Sequence, residues 1–255
     1  MTYNVHSCVG TDGQYSIERI IRVIEKSRAD IVALQELDGG RHFNGINSQA
    51  EFIAGKLGMH FHFHSAYGEK KKDFGNAILS RYPMKVIKAA RLPKYGWKNL
   101  FESRGILWVK IEYEKTCINV LTTHLSLWLP ERRNQTSLLL NHHWTSHEIL
   151  KEGPVILCGD FNMAPSSDLY RQIIREFRDA AGSVKDKRQL RTWTSSFPIR
   201  RLDYIFYRGG FRIKEIQVPK RGLEKAASDH LPVIAELSLK GPKENSDGEN
   251  ARIYN

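Results

Sequence analysis

Acidic, histidine and asparagine side chains stand at the ends of apolar runs along the whole chain, and they are of the types that bind cations and phosphate. A polar residue that follows a short apolar run lies where a buried strand emerges, so several such side chains can meet at one edge of a sheet. Carboxylates at close range repel unless a cation or a proton lies among them. The pattern therefore predicts a metal site. Its members are Asn4, Glu36, His124, Asp160, Asn162, Asp203, Asp229 and His230.

Phosphate ester hydrolysis is the chemistry that such a set could perform. It requires a positioned water, neutralisation of the charge that grows on the phosphoryl oxygens, and help for the leaving oxygen. Mg²⁺, or Mn²⁺ in its place, neutralises that charge when carboxylate and amide oxygens hold it. Glu36 and Asn4 are ligands of this hard type, and Asp229 could hold the same ion or a second one.

The remaining members could act on the water and the phosphate. Asp160 and Asn162 are two residues apart, so in an extended segment both side chains point the same way and could orient a water and a phosphate oxygen together. A buried Asp203 could fix the tautomer of His230 and favour its protonated form. His124 could donate to another phosphate oxygen.

Helical and strand patterns alternate along the chain. Helical periodicity covers residues 16–26 and 49–57, Pro130 marks a helix that we expect to reach residue 150, and Ser166 or Ser167 can cap a helix that ends at residue 177. Interleaved strands with a few amphipathic helices predict an α/β fold of two packed sheets flanked by helices. The predicted strands cover residues 30–36, 60–64, 75–80, 106–113, 117–125, 154–158, 201–207, 211–218 and 231–239.

Length and composition predict one large domain. The chain has 255 residues, of which 41% are hydrophobic, and we expect a domain over 1–240 followed by a disordered tail over 241–255. No apolar run has the length of a membrane-spanning helix, and the first residues show no secretory pattern, so a cytoplasmic location is expected. Cys8, Cys117 and Cys158 are widely spaced, which favours buried free thiols in a reducing compartment.

The charge of the chain indicates a polyanionic partner. The formal net charge is +11 and the pI about 9.5, and a field of this sign attracts nucleic acid, anionic membranes or phosphorylated small molecules. Basic and aromatic residues are mixed in predicted loops, which could grip a nucleic acid or dip into a membrane interface, or could simply anchor their own loops. These segments are 70–72, 94–101, 128–133 and 185–193.

Seven short motifs follow one another along the chain. They are Thr2-Tyr3-Asn4, Leu34-Gln35-Glu36, Gly75-Asn76-Ala77-Ile78-Leu79-Ser80-Arg81, Thr123-His124-Leu125, Gly159-Asp160-Phe161-Asn162, Arg201-Leu202-Asp203-Tyr204-Ile205-Phe206 and Ser228-Asp229-His230. In this order they resemble the motifs of the endonuclease/exonuclease/phosphatase superfamily, the deoxyribonuclease I-like metal-dependent phosphoesterases. The resemblance extends from residue 2 to about residue 239. It implies a four-layer α/β/β/α sandwich of two mixed sheets, with a site built at one end from strand ends and loops.

The resemblance also implies individual roles. Asn4 and Glu36 would help to hold the principal Mg²⁺, with Asp229 near the metal. Asp160 would orient or deprotonate the attacking water. The number of metals, and whether Asp160 or His230 takes the proton, stay open at this point.

The phosphate would be bound by a further group of side chains. The resemblance implies that Asn162 and His124 contact it, and that His230 binds it while paired with Asp203. Arg104, in Glu102-Ser103-Arg104-Gly105, resembles an Arg that reaches the phosphate from before a strand, although a surface Arg at a strand start fits almost as well.

Three functions follow as hypotheses. The first is a Mg²⁺-dependent phosphodiesterase, expected to be a monomer, that acts on DNA or RNA. The second is a phosphoesterase for phospholipid, inositol phosphate or another small phosphorylated compound. The third is a non-catalytic binding module that keeps the fold.

Two groups of histidines could also suggest a metal. His60, His62 and His64 alternate with Phe61 and Phe63, and we expect the imidazoles on a solvated strand face with the phenyl rings inward. Another pair, at positions 143 and 147, lacks the zinc-protease pattern and is expected at the surface.

Overall fold

The computed structural model describes residues 1–39, 48–66, 74–94, 102–151 and 153–239. The helices in these ranges are α1 (Ile17–Ser27), α2 (Gln49–Leu57), α3 (Leu129–Leu139), α4 (Asp168–Glu176) and α5 (Leu223–Ala227). The strands are β1 (Thr2–Asn4), β2 (Ile31–Asp38), β3 (His60–Ser65), β4 (Phe74–Ser80), β5 (Met84–Arg91), β6 (Gly105–Tyr113), β7 (Thr116–His124), β8 (Val155–Asp160), β9 (Arg178–Asp179), β10 (Asp203–Arg208), β11 (Phe211–Gln217) and β12 (Ile234–Leu239). The tail predicted at 241–255 and the basic segment 70–72 lie outside these ranges, as does 95–101.

Two mixed sheets are stacked face to face between helices. The four-stranded sheet has the order β1-β2-β4-β3, the six-stranded sheet has the order β5-β6-β7-β8-β10-β9, and β11 pairs with β12. Ala33 and Ile78 of the first sheet share a core with Leu107 and Ile205 of the second. The other faces are covered by α1 and α2 on one side and by α4 on the other. The predicted α/β/β/α sandwich is therefore confirmed.

Local sequence accounts for the first two helices. In α1 the apolar side chains at helical spacing are buried, including Ile20 and Ile24. In α2 the Ser48 hydroxyl accepts a hydrogen bond from the Glu51 amide at 3.1 Å, and Gly58 ends the helix at φ 63°. Both helices confirm the predictions.

The helix that begins near Pro130 is shorter than predicted. It ends at Leu139 instead of near residue 150, and only a 3-10 turn follows at Glu148–Leu150. The Thr145 hydroxyl donates to the Leu139 carbonyl at 2.9 Å, and the Ser146 hydroxyl donates to the Leu140 carbonyl at 2.8 Å. These side chains satisfy carbonyls that another helical turn would have used, so the helix stops.

The histidines of β3 correct a second prediction. Phe61 and Phe63 pack against the core under the helices, as expected, and His60 is exposed. His64 is not on a solvated face, because a Cβ at Gly105 of β6 would lie 3.0 Å from its Cδ2 atom and its Nε2 atom is buried. The alternation was correct, but the face opposite the phenyl rings is turned toward the second sheet.

Several strand ends meet at one end of the sandwich. β7 and β8 run parallel with His124 beside Asp160, and β10 starts with Asp203 opposite the same Asp160. Gly159 allows this close approach, because a Cβ there would lie 1.9 Å from the Thr123 carbonyl oxygen and its φ is +142°. The packing of the sheets thus gathers residues that are far apart in sequence.

Three further features are the state of the cysteines, the turn between β6 and β7, and the length and polarity of the helices. The three cysteines are free, with Cys8 and Cys158 buried and Cys117 partly so. The turn predicted between β6 and β7 falls at Glu114, which has φ 52°. None of the helices in the described ranges is both long enough and apolar enough to cross a membrane.

Candidate active site

Asp160 lies at the centre of the site. It ends β8 with only 1% of its surface exposed. Its Oδ2 atom is 3.1 Å from Asn4 Nδ2, 3.5 Å from His124 Nε2 and 3.7 Å from His230 Nε2. Its Oδ1 atom accepts a hydrogen bond from the Asn162 amide at 2.9 Å. One carboxylate thus connects the two histidines named from the sequence.

Glu36 and Asn4 lie on one side of Asp160. Asn4 Nδ2 donates to Glu36 Oε1 at 2.8 Å, while Asn4 Oδ1 accepts from the His6 amide at 3.1 Å. Glu36 sits at φ 59° in the irregular part of β2, which turns its carboxylate toward the site. The amide nitrogen of Asn4, not its oxygen, faces the carboxylates, so metal ligation by Asn4 would require its amide to rotate.

The donor set fits a divalent metal. Ligand atoms of Glu36, His124 and Asp160 lie within 4.8 Å of one another, and so do those of Asp160, Asp203 and His230. Burial raises the pKa of Glu36, and burial together with the charge of Asp203 raises the pKa of Asp160 to about 7. Both shifts reflect buried negative charge that is incompletely compensated. Mg²⁺ and Mn²⁺ prefer oxygen ligands, so either ion would stabilise these carboxylates by balancing their negative charge.

His230 and Asp203 form the other side of the site. His230 Nδ1 is 2.9 Å from Asp203 Oδ2, and Asp203 Oδ1 is buried without a hydrogen-bond partner among the described residues. Burial alone would lower the pKa of His230, but the charges of Asp203 and Asp160 outweigh it and raise that pKa to about 10. The imidazole is therefore protonated at neutral pH, as the sequence indicated for this pair.

His124 has the opposite character. Burial lowers its pKa well below the usual value, and the charges of Arg104 and His230 lower it further. Asn162 Nδ2 donates to the Leu125 carbonyl at 2.9 Å and lies 3.1 Å from His124 Nε2. Because that nitrogen is a donor, His124 Nε2 is the acceptor of a neutral ring. The predicted donation from His124 to phosphate would have to use another arrangement of this pair.

Arg104 is buried close to the site and is only partly paired. Its exposed fraction is 6%, its Nη1 is 2.8 Å from Glu102 Oε2, and its Nε atom has no hydrogen-bond partner within the part of the chain that the structure describes. Its charge lowers the pKa of both Glu36 and His124. This position agrees with the predicted phosphate-binding role, which stays a prediction.

Asp229 belongs to neither group of potential ligands in the described ranges. Its Oδ1 is 3.9 Å from His6 Nδ1, and its Oδ2 accepts from Trp193 Nε1 at 3.4 Å. The structure thus brings together most of the predicted site residues and places Asp229 at the rim. Ligation by Asp229 stays a prediction.

Ser228, Trp193 and His6 are neighbours of the site to which the sequence assigned no role. Ser228 Oγ donates to the Asn4 carbonyl at 2.8 Å and accepts from the His230 amide at 3.2 Å. Trp193 pairs with His230 through the backbone. Ser228 stands within a recognised motif, and Trp193 ends the basic and aromatic segment 185–193, so the sequence carried a signal for both.

Residues 1–230 match the endonuclease/exonuclease/phosphatase family. The chain therefore belongs to this family, as its motifs indicated. Members of the family hydrolyse phosphoester bonds and generally depend on a divalent metal, so the protein is a hydrolase of that class.

The chain is similar to several individual proteins. YbhP of Escherichia coli strain K12, which is described as uncharacterized, is 27% identical over 94% of this chain and 95% of its own length. An endonuclease/exonuclease/phosphatase from Beutenbergia cavernae has a TM-score of 0.76 at 24% identity, over 94% of this chain and 71% of that one. A mannosyl-6-phosphatase of Bacteroides thetaiotaomicron has a TM-score of 0.71 at 19% identity, over 93% and 98%. At these identities the solved structures support the fold and not a substrate.

Proposed function

We propose that the protein is a Mg²⁺-dependent phosphodiesterase that cleaves its substrate by attack of water. One observation carries this proposal. Asp160 is buried between two unlike groups, with Glu36 on one side and the protonated His230 on the other. A buried carboxylate with a pKa raised to about 7 can take a proton, and an imidazolium beside it can stabilise the phosphate.

The bound metal would neutralise charge on the phosphoryl oxygens. Asp160 accepts a hydrogen bond from the water and removes its proton as the water oxygen bonds to phosphorus. The phosphorus–oxygen bond to the leaving group breaks in the same step, and the released oxyanion takes a proton from solvent water. His230 donates its Nε2 proton in a hydrogen bond to a phosphate oxygen. Its Nδ1 proton is donated to Asp203 Oδ2, which lies 2.9 Å from Nδ1. Because the pKa of His230 is raised to about 10, it is poorly suited to act as the base, and we assign that role to Asp160.

The net charge of +11 supports a polyanionic substrate. Nucleic acid is the first class that the sequence predicts, and phospholipid, inositol phosphate or another phosphorylated compound is the second. We also propose that the protein is a monomer and that it acts in the cytoplasm. The exposed apolar side chains discussed below are the observation that favours a lipid substrate.

A substrate panel with Mg²⁺, Mn²⁺ and EDTA tests the reaction. It comprises DNA and RNA oligonucleotides, phospholipid vesicles and the soluble diester bis(4-nitrophenyl) phosphate. We expect turnover that needs the metal and disappears in Asp160→Asn, which also controls for contaminating enzymes. The matched control is Asp168→Asn, because Asp168 has a side chain that is 73% exposed on α4.

Two results would contradict the proposal. Turnover that survives both EDTA and Asp160→Asn would mean that the site is misassigned. Absence of turnover on every member of the panel with either metal would favour the non-catalytic binding module.

A further inference from the structure

Apolar side chains are exposed in two loops at the strand-end side of the site. Of eight large hydrophobic side chains that are exposed in the described ranges, five belong to these loops. Their exposed fractions are 63% for Leu127, 39% for Trp128, 42% for Leu129, 77% for Phe197 and 48% for Ile199. We call these five side chains the apolar rim. Their concentration in two loops distinguishes them from the scattered apolar residues of an ordinary surface.

Both loops border the catalytic groups. Leu127 follows His124 by three residues, and the other loop begins at Trp193, which pairs with His230. His124 Nε2 and His230 Nε2 lie 3.5 and 3.7 Å from the same Asp160 oxygen. Each loop is therefore joined to one of the two histidines that lie beside Asp160.

The first loop is held in place by hydrogen bonds with two side chains of α3. The Ser126 amide donates to Gln135 Oε1 at 2.8 Å, and Arg132 Nη1 donates to the carbonyls of Ser126 and Leu127 at 3.0 and 3.1 Å. These bonds fix the backbone from which Leu127 projects. Leu127 is therefore exposed on a loop whose backbone is held by hydrogen bonds.

The second loop is a hairpin. The amides of Ile199 and Arg200 both donate to the Trp193 carbonyl at 2.8 Å, and the Trp193 amide donates back to the Arg200 carbonyl at 3.0 Å. The Thr194 hydroxyl donates to the Phe197 carbonyl at 3.3 Å. This bonding holds Phe197 at the tip of the turn.

Positive charge accompanies the apolar side chains. Arg133 is exposed four residues after Leu129, and Arg200 is exposed next to Ile199. Apolar side chains beside cationic ones are suited to a surface with an apolar interior and anionic headgroups. Three of the five rim residues are aliphatic and could not stack on nucleobases, which argues against a single-stranded nucleic acid as the occupant.

We infer that the apolar rim docks the protein on an anionic lipid surface, where the site reaches a phosphoester carried by a membrane phospholipid. The reaction at that phosphoester rests on the proposed function, whereas docking itself does not. The two parts can therefore fail separately.

Vesicle sedimentation in EDTA tests docking without turnover. The full chain is mixed with vesicles of phosphatidylglycerol and phosphatidylcholine in equal parts, or with phosphatidylcholine alone. We expect binding to the anionic vesicles, and a loss of about tenfold or more in the partition coefficient for Leu127→Ser/Leu129→Ser and for Phe197→Ser. The matched control is Ile174→Ser, because Ile174 is 42% exposed on α4, away from the rim; its binding should equal that of the wild type.

Three outcomes would overturn the inference. They are absence of wild-type binding, an equal loss in the Ile174 control, and rim variants that lose binding to a single-stranded oligonucleotide but not to vesicles. Size-exclusion chromatography adds a fourth, a dimer that the rim substitutions dissociate, because a second copy would then be the occupant. Turnover of bis(4-nitrophenyl) phosphate without vesicle binding would leave the proposed function intact and reject only the docking surface.

Discussion

Two buried carboxylates of the six-stranded sheet have opposite electrostatic surroundings. Asp179 accepts hydrogen bonds from Arg201 Nη1 at 2.8 Å and Arg201 Nη2 at 2.7 Å. It accepts another from the Tyr170 hydroxyl at 2.7 Å. Asp160 has the carboxylates of Glu36 and Asp203 as neighbours, His230 Nε2 at 3.7 Å, and no guanidinium in hydrogen-bond contact among the described residues. Burial would raise the pKa of Asp179, but its bonds to Arg201 outweigh burial and lower it, whereas the pKa of Asp160 is raised.

The difference separates a carboxylate that stabilises the fold from one that performs chemistry. The ion pair of Asp179 and Arg201 is complete within the chain, so nothing further is needed to balance its charge. Around Asp160, the three carboxylates of Glu36, Asp160 and Asp203 face one imidazolium, that of His230, so a further cation or a proton would balance the charge. Pairs of substitutions at these two positions can therefore test the comparison directly.

The largest effect is expected for the activity of Asp160→Asn. Loss of the base should reduce turnover of bis(4-nitrophenyl) phosphate by about a thousandfold or more. Its free energy of unfolding without metal should equal or exceed that of the wild type, because a source of repulsion is removed. Activity assays and urea denaturation measure both quantities, and a strongly destabilised variant would contradict the comparison.

The opposite behaviour is expected of Asp179→Asn. It leaves the Arg201 guanidinium buried without its partner charge, so the free energy of unfolding should fall by about 3 kcal/mol. Turnover per folded molecule should change little at a temperature where the variant is folded. Denaturation at matched temperature checks this, and an unchanged midpoint would show that the pair does not stabilise the fold.

Added Mg²⁺ should separate the two positions again. A cation that binds only the folded wild type stabilises it by about 2.7 kcal/mol at a concentration one hundred times its Kd. The melting temperature should therefore rise with MgCl2 in the wild type and in Asp179→Asn, and should rise less in Asp160→Asn, because one carboxylate of the site is then lost. NaCl at equal ionic strength is the control, and an equal rise in all three proteins would refute metal binding at Asp160.

The smallest effect is expected for the free energy of unfolding at low pH. The pKa of Asp179 is lower in the folded chain than the value of about 3.9 in the unfolded chain, so its contribution is fully present above pH 4 and is lost as pH falls through the folded pKa. Each unit of difference is worth about 1.4 kcal/mol. The stability gap between wild type and Asp179→Asn should therefore narrow below pH 4. Chemical denaturation at pH 7 and pH 3 measures it, and a constant gap would contradict the assignment.

The sequence predicted the fold and the membership of the site because both depend on where apolar runs end. Asp160 and His124 follow such runs, and the sheet register then places them side by side. The orientation of the Asn4 amide could not be predicted, because it depends on the His6 amide across a turn. The outward position of Asp229 likewise depends on Trp193, which approaches from a separate hairpin. Patterns along a chain locate a residue but do not show what faces it.

Sequence periodicity also failed where side chains compete with the backbone. The helix that begins near Pro130 ends early because the hydroxyl groups of Thr145 and Ser146 donate hydrogen bonds to the carbonyls at its C-terminal end. His64 was misplaced because alternation fixes which residues share a face but not which layer covers that face. Both errors arise from contacts made outside the local window.

The bond from Ser228 to the Asn4 carbonyl joins residues that are 224 positions apart in the chain. On the ribosome, Asn4 is made first and must wait for residues 228–230 before its catalytic surroundings exist. Such long-range closure is slow compared with local structure formation, so this step is expected to come late in folding. The enzyme would then acquire its catalytic power late in folding, after most of both sheets has formed.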